Sequence, residues 1–125
     1  MSADQHTTQD AGPVAPTDPE DAKIVTLARS ALVRTGAPEG ACVRDTDGRT
    51  YAATNVALEH LTLSAVQVAV AMAVSSGAEG LEAVALASSE ALADADRAVV
   101  RDLGGPGTPI WSVDSRGTFR ARVEA

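Results

Sequence analysis

The chain has 125 residues, a length that favours a single domain, and its formal net charge is -7. Hydrophobic residues make up 45% of the sequence but aromatic residues only 2%, so we predict an aliphatic core. Because phosphate contacts need clustered Lys and Arg, such an acidic chain is a poor binder of nucleic acid, and we expect no nucleic-acid partner.

One cysteine and one apolar segment indicate in which cellular compartment the protein is expected. Cys42 is alone and cannot form a disulfide within the chain, which is typical of the reducing cytoplasm. The N-terminus shows no signal-peptide pattern. Residues 61–76 carry no charge, but they are fewer than the roughly 20 apolar residues that span a bilayer. We therefore predict a cytoplasmic protein with a buried helix here and no membrane partner.

The first elements in chain order are a tail and a helix. Residues 1–17 are polar and acidic and are predicted to be a disordered tail, which leaves residues 18–125 as the folded domain. Asp18 can cap a helix, Pro19 suits the first helical position, and Gly36 ends the apolar stripe that follows.

The remaining elements alternate between strands and helices. Two β-prone runs joined by Asp47-Gly48 predict a hairpin, and the apolar segment follows as a second helix. "LEAVALAS" is typical of a strand covered on both faces, and a third helix is predicted over about 90–103. A turn joins the last strands, "TPIWSV" and "TFRARVE". The pattern predicts an α/β layer arrangement: a mixed five-stranded sheet with helices packed on it, its last two strands an antiparallel hairpin.

Three stretches together resemble the cytidine deaminase family. "DGRTYAATNV" is similar to the family's D-G-x-x-Y-x-G-x-N-V hairpin, and "SAVQVAVAMAVSSG" to its C-A-E-R-x-A-x-x-x-A-V-S-x-G helix. "DRAVVRDLGGPGTPIWSVDSRG" resembles the C-R-Q-V-L-x-E-F helix and the T-P-V-x-x-V-D strand after it. They occur in the family's order, and the match covers nearly everything from Ala22 on. The resemblance implies a three-layer, cytidine-deaminase-like α/β fold.

The resemblance also implies which side chains would carry the chemistry, and this sequence lacks them. Family members bind zinc through a Cys or His on the second helix and two cysteines at the start of the third, and a glutamate shuttles protons. The first ligand position carries Ser64, the two cysteine positions carry Ala93 and Asp96, and the glutamate position carries Val66. We therefore predict no catalytic residue, no metal and no cofactor.

Substrate binding is expected to be weakened as well. Of the family's N-x-E pair, which holds the ribose hydroxyls, Asn55 is present but Ala57 replaces the acid. We call the family positions of the former pocket the relic site, which consists of Asn55, Ser64, Val66, Ala93 and Asp96.

Other kinds of site are open to these residues. Ser64 could be a nucleophile with His60 as its base, but no glycine-rich elbow accompanies them, so a helix-capping role is favoured. His60, Asp94 and Asp96 could hold a metal, although the helix dipole and ion pairs with nearby arginines explain the acidic residues more simply.

Two further features have simple explanations. The arginines of the last hairpin, Arg116, Arg120 and Arg122, favour protection of a strand edge over a phosphate-binding patch. Cys42 lies in an apolar strand and is predicted to be a small buried hydrophobe.

The second helix is apolar nearly all round and must be covered nearly all round. One side can lie on the sheet, and the other needs a neighbour. We predict a homo-oligomer, a dimer or tetramer, and allow for a protein partner. The predicted interface residues are Ala65, Gln67, Ala69, Met72 and Ala73.

The leading hypothesis is a catalytically inactive cytidine-deaminase-like protein that acts as an oligomeric binding or regulatory module. Three alternatives stay open. The chain could be a hydrolase of the cytidine deaminase type, an enzyme that uses His60, Asp94 or Asp96 with Asn55 for other chemistry, or a sensor that binds a nucleoside or nucleotide in the relic site.

Overall fold

The computed structural model describes residues 15–125, so most of the predicted tail, residues 1–17, lies outside the described residues. The helices are α1 (Pro19–Thr35), α2 (Ala65–Ser75) and α3 (Asp94–Gly104). The strands are β1 (Glu39–Asp45), β2 (Thr50–Thr54), β3 (Val56–Ala57), β4 (Thr62–Leu63), β5 (Leu81–Ser88), β6 (Pro109–Val113) and β7 (Phe119–Glu124). None of the helices in this part of the chain has the length and apolar character needed to cross a bilayer.

The first helix begins and ends where its sequence signals predict. The Asp18 carboxylate accepts a hydrogen bond from the Glu20 amide at 2.8 Å, and Pro19 is the first helical residue. Gly36 ends α1 in the left-handed conformation, with a φ of 70°. The buried residues of α1 are Ile24, Val25, Ala28, Ala31 and Leu32, and all but Ala31 belong to the core between α1 and the sheet.

The five long strands form one mixed sheet in the order β2-β1-β5-β6-β7. β5 and β6 are parallel, and the other neighbouring pairs are antiparallel. Both predicted hairpins are confirmed, one turning at Asp47-Gly48 between β1 and β2 and the other between β6 and β7. The parallel pair needs a crossover, and α3 supplies it.

Alternation along β5 sends side chains into two separate cores. Val84 and Leu86 pack with residues of α2 and α3, whereas Ala83 and Ala85 pack with residues of α1. The first helix therefore covers one face of the sheet, and α2 with α3 covers the other. This arrangement confirms the predicted three-layer α/β fold.

The first helix comes very close to β1 at Gly40. A methyl group on Gly40 would collide with the backbone carbonyl oxygen of Ala28 and would lie 3.1 Å from the amide nitrogen of Leu32. Only a residue without a side chain allows this approach.

Two helices start later in the chain than predicted. The apolar segment was expected to be helical throughout, but β3 and β4 form a small antiparallel hairpin before α2, pairing Val56 with Leu63. α3 starts at Asp94 rather than near residue 90, so Leu92 packs on the core from outside the helix. Apolar spacing marks which residues are buried, but a helix starts where its first amide groups find hydrogen-bond partners.

Candidate functional site

The relic site centres on Ser64, which caps the N-terminus of α2. Its hydroxyl accepts a hydrogen bond from the Gln67 amide at 3.0 Å, and the Gln67 side-chain oxygen accepts one from the Ser64 amide at 2.8 Å. This reciprocal capping box satisfies two amide groups that a helix start leaves without partners. The predicted capping role of Ser64 is confirmed.

The Ser64 hydroxyl also joins the starts of two helices. It donates to Oδ1 of Asp96, in the first turn of α3, at 2.7 Å. Asp96 is only 7% exposed, and a buried carboxylate needs such a partner because it has lost its contacts with water. The amide of Asp96 in turn donates to the carbonyl oxygen of Ala93 at 3.1 Å. Three of the five relic positions thus lie together where α2 and α3 begin.

Glu39 belongs to the same network, although it is not among the predicted site residues. Its Oε1 accepts a hydrogen bond from the Ala65 amide, the first of α2, at 2.8 Å. Its own amide donates to Oδ1 of Asn55 at 3.3 Å. Asn55 therefore fixes the backbone of Glu39, and the Glu39 carboxylate caps the helix. The only signal in the sequence is a carboxylate at the first residue of an apolar strand.

Two of the relic positions bring no reactive group. Val66 is fully buried in the core under α2, and Ala93 is the N-cap residue of α3 without a side-chain hydrogen bond. The carboxylates of Glu39 and Asp96 therefore provide the negative charge near the positive end of the α2 dipole. The network ties helix starts together and is satisfied from within the chain.

His60 stands apart from this network. Its side chain is 89% exposed, and its Nε2 lies 3.2 Å from the carboxylate of Glu59. The hydroxyl of Ser64 is bonded to Asp96 instead. The structure therefore contradicts a Ser64–His60 nucleophile pair and a metal site made of His60, Asp94 and Asp96.

A model of the cytidine deaminase-like family matches residues 17–117 of this chain. The chain belongs to the cytidine deaminase-like family. A cytidine deaminase structure from Burkholderia pseudomallei is 21% identical, with a TM-score of 0.72 over 82% of this chain and 90% of that one. The cytidine deaminase from Mycobacterium leprae is 22% identical, with a TM-score of 0.62 over 72% of this chain and 85% of that one. The cytidine deaminase from Mycobacterium tuberculosis is 27% identical, with a TM-score of 0.62 over 70% of this chain and 80% of that one. No curated protein matches the chain.

The residues of this cytidine-deaminase-like chain do not fit the zinc ion that the family implies. Ala93 has no ligand atom, and the neutral hydroxyl of Ser64 is committed to Asp96. Within residues 15–125, no group of three or more His, Cys, Asp or Glu side chains is placed to hold a metal ion. Zinc in proteins takes three or four such ligands, mostly thiolate and imidazole.

The exposed side of α2 differs from the predicted interface. Ala65, Ala69 and Ala73 are completely buried within the chain, against the sheet, so this part of the interface prediction is wrong. Periodicity could not tell which stripe of an almost wholly apolar helix faces its own sheet. Gln67 is half-buried and Met72 is exposed, as an interface would require. Exposed apolar side chains also include Val74 and, in the β3–β4 hairpin, Leu58 and Leu61.

The arginines of the last hairpin have different surroundings. Arg120 donates to the carbonyl oxygen of Ser89 at 2.7 Å. Arg122 lies 5.5 Å from the centre of the Trp111 ring, a cation–π contact. Arg116, in the turn, faces α1 across a groove.

Cys42 is buried beneath α1, as predicted. Burial raises the pKa of its thiol to about 11. It is a packing residue rather than a nucleophile.

Proposed function

We propose that this chain is a non-catalytic member of the cytidine deaminase-like family that works as an oligomeric binding or regulatory module. The observation that carries the proposal is the 2.7 Å hydrogen bond between Ser64 and Asp96, at two of the three positions where the family holds zinc. A hydroxyl and a carboxylate that satisfy each other leave no open coordination position for a metal-bound water.

Proton transfer lacks a suitable group for the same reason. Val66 stands at the position of the family's glutamate and is fully buried. A carboxylate of the network, Glu39, already accepts a hydrogen bond from the α2 amide of Ala65. A general acid or base must reach the reacting atom of the substrate, and this carboxylate is engaged in holding a helix.

Assembly is supported by the surface that the fold leaves uncovered. Met72 and Val74 on α2 are 38% and 52% exposed, and Leu58, in the hairpin that precedes α2 in the sequence, is 63% exposed. Exposed apolar side chains of this size favour contact with another protein surface. We infer that this side of α2 is covered by a second copy of the chain or by a protein partner, and that the protein acts in the cytoplasm.

Sensing of a nucleoside has less support. Two prominent surface pockets, one beside α1 and one between the start of α3 and β7, contain no residue of the relic site in their linings. Ser64 and Asp96 point their polar atoms at each other, so a ligand would have to break that bond to use either one.

Metal analysis and a cytidine assay test the absence of catalysis directly. We expect no bound zinc and no uridine formation above background, with the Mycobacterium tuberculosis cytidine deaminase as the positive control. Stoichiometric zinc or clear turnover would overturn the proposal. The triple variant S64C/A93C/D96C sharpens the test: because its three thiols stand at the family's ligand positions, it should take up zinc, whereas the single variant S64C should not.

Light scattering on the purified chain tests assembly. We expect an oligomer in the wild type and a monomer in the double variant M72E/V74E, because two charges cannot be buried unpaired in an interface. V33E is the matched control, since Val33 is 63% exposed on α1, on the other side of the sheet. A wild-type chain that stays monomeric at about 100 μM, or an M72E/V74E variant that still assembles, would contradict this part of the proposal.

A further inference from the structure

A groove with three arginines lies on the outer side of α1. It has a volume of about 540 Å³ and runs between α1 and the β6–β7 turn. We call it the arginine groove and define it by Arg29, Arg34 and Arg116, with Val25 and Val33 as its apolar wall. This volume is within the range of sites for small molecules, roughly 300–1,000 Å³. Because α1 covers the face opposite α2 and α3, the groove is separate from the relic site.

The positive charge of the groove is only partly balanced by the side chains that the structure describes. Within residues 15–125, none of its three arginines forms an ion pair, although acidic residues outnumber basic ones in the chain by 17 to 10. Asp114, in the same turn, attracts Arg116 electrostatically but forms no ion pair with it. Its carboxylate accepts hydrogen bonds from the amides of Arg116 and Thr118 at 2.8 and 2.9 Å. Three guanidinium groups that form no ion pair with a described residue, in an acidic protein, indicate an anion as their partner.

One arginine is already held in place. Nε of Arg29 donates to the carbonyl oxygen of Ser115 at 3.3 Å and so ties α1 to the β6–β7 turn. Gly117, with a φ of 93°, lets the turn approach, since a methyl group there would lie 3.3 Å from Cδ of Arg29. The two terminal nitrogens of Arg29 make no hydrogen bond to any described residue. A guanidinium fixed in this way loses little conformational entropy when it binds an anion.

We propose that the arginine groove binds the phosphate group of a small aliphatic phosphate ester. The planar fork of donors on arginine matches phosphate oxygens two at a time. The lining includes Val25 and Val33 but no aromatic side chain, so it offers contact to an aliphatic group and no stacking surface for a base. A net charge of -7 opposes the approach of a long polyanion such as nucleic acid.

Calorimetric titration of the full chain with butyl phosphate, at constant ionic strength, tests this site. We expect saturable binding, and severalfold weaker binding of inorganic phosphate because it cannot contact the valines. The double variant R34Q/R116Q should weaken butyl phosphate binding at least tenfold, while leaving the Arg29–Ser115 contact intact. R101Q is the matched control, since Arg101 is an exposed arginine on α3, and it should bind like the wild type.

A second variant distinguishes a loss of binding from a loss of folding. Ser30 lines the groove and is exposed, so S30E should abolish binding by placing a negative charge beside the arginines, with an unchanged unfolding transition in the absence of ligand. The absence of binding to the wild type at about 10 mM butyl phosphate would overturn the proposal. Equal binding by the wild type and R34Q/R116Q would do the same. Inorganic phosphate that binds as tightly as butyl phosphate would refute the assignment to an ester.

Discussion

The two faces of the sheet hold their helices by different means. On the α1 face the helix lies directly on Gly40, so close contact between backbones provides the fit at that point. On the other face α2 and α3 rest on aliphatic side chains of the sheet, and the polar bonds of Ser64 and Glu39 fix where α2 begins. The backbone contact at Gly40 has no room for an additional atom. The hydrogen bonds at the start of α2 can be removed one at a time, each at a moderate cost in stability.

The largest effect is expected from Gly40→Ala on the α1 face. Its methyl group would collide with the carbonyl oxygen of Ala28, and a helix backbone cannot move aside as a flexible side chain can. We expect the free energy of unfolding to fall by about 3 kcal/mol or more, measured by urea denaturation. Gly107→Ala is the control and should change little, because no atom lies within 4 Å of a methyl group placed there. A small effect of G40A would show that the α1 face is more loosely packed than described.

A smaller effect is expected from Ser64→Ala on the α2–α3 face. The variant loses the cap of α2 and leaves the buried Asp96 carboxylate without its hydroxyl donor. We expect a loss of about 1–2 kcal/mol in the free energy of unfolding. Thr62→Ala changes an exposed hydroxyl just before the helix and serves as the control. If S64A and T62A are equally stable, the Ser64–Asp96 bond contributes nothing to the joining of the two helices.

The smallest effect is expected at the β1–β2 turn, at the edge of the sheet. Burial alone would raise the pKa of Asp45, but hydrogen bonds from the Arg49 amide, the Tyr51 hydroxyl and the Asp47 amide outweigh it and hold the pKa below the usual 3.8. A carboxylate with a lowered pKa stabilises the fold above pH 3.8, and this contribution disappears as the pH falls further.

Tyr51→Phe removes one of these donors and tests the turn. The pKa of Asp45 should rise toward its usual value, so that acid unfolding begins at a higher pH than in the wild type, with a smaller loss of stability at pH 7 than S64A causes. Urea unfolding between pH 7 and pH 2.5 measures both. Asp47→Asn is the control: it keeps the backbone amide that donates to Asp45, so its stability should fall at the same acidic pH as that of the wild type. If the stability of Y51F falls at the same acidic pH as that of the wild type, the Tyr51 hydroxyl does not stabilise the Asp45 carboxylate.

Much of the fold could be predicted because its signals are local. Asp18, Pro19 and Gly36 mark the ends of α1 by their own conformational preferences, and Asp47-Gly48 marks a turn in the same way. The candidate site was predictable only in part. The relic positions followed from the resemblance to a family, but Glu39 did not, because nothing local to a strand end reveals which helix it meets. The interface prediction was wrong at the buried alanines because α2 is apolar on nearly all sides, so its sequence does not indicate which side faces the sheet.

The sequence by itself determined where chain segments bend, cap and alternate, and it determined that no thiol or imidazole stands at Ser64, Ala93 or Asp96. Only the tertiary structure decided which distant groups meet: Ser64 with Asp96, 32 residues apart, and Arg29 with Ser115, 86 residues apart. The physical reason is the distance along the chain over which each kind of interaction acts. Conformational preferences and caps act within a few residues, whereas these contacts exist only once the helices have docked on the sheet.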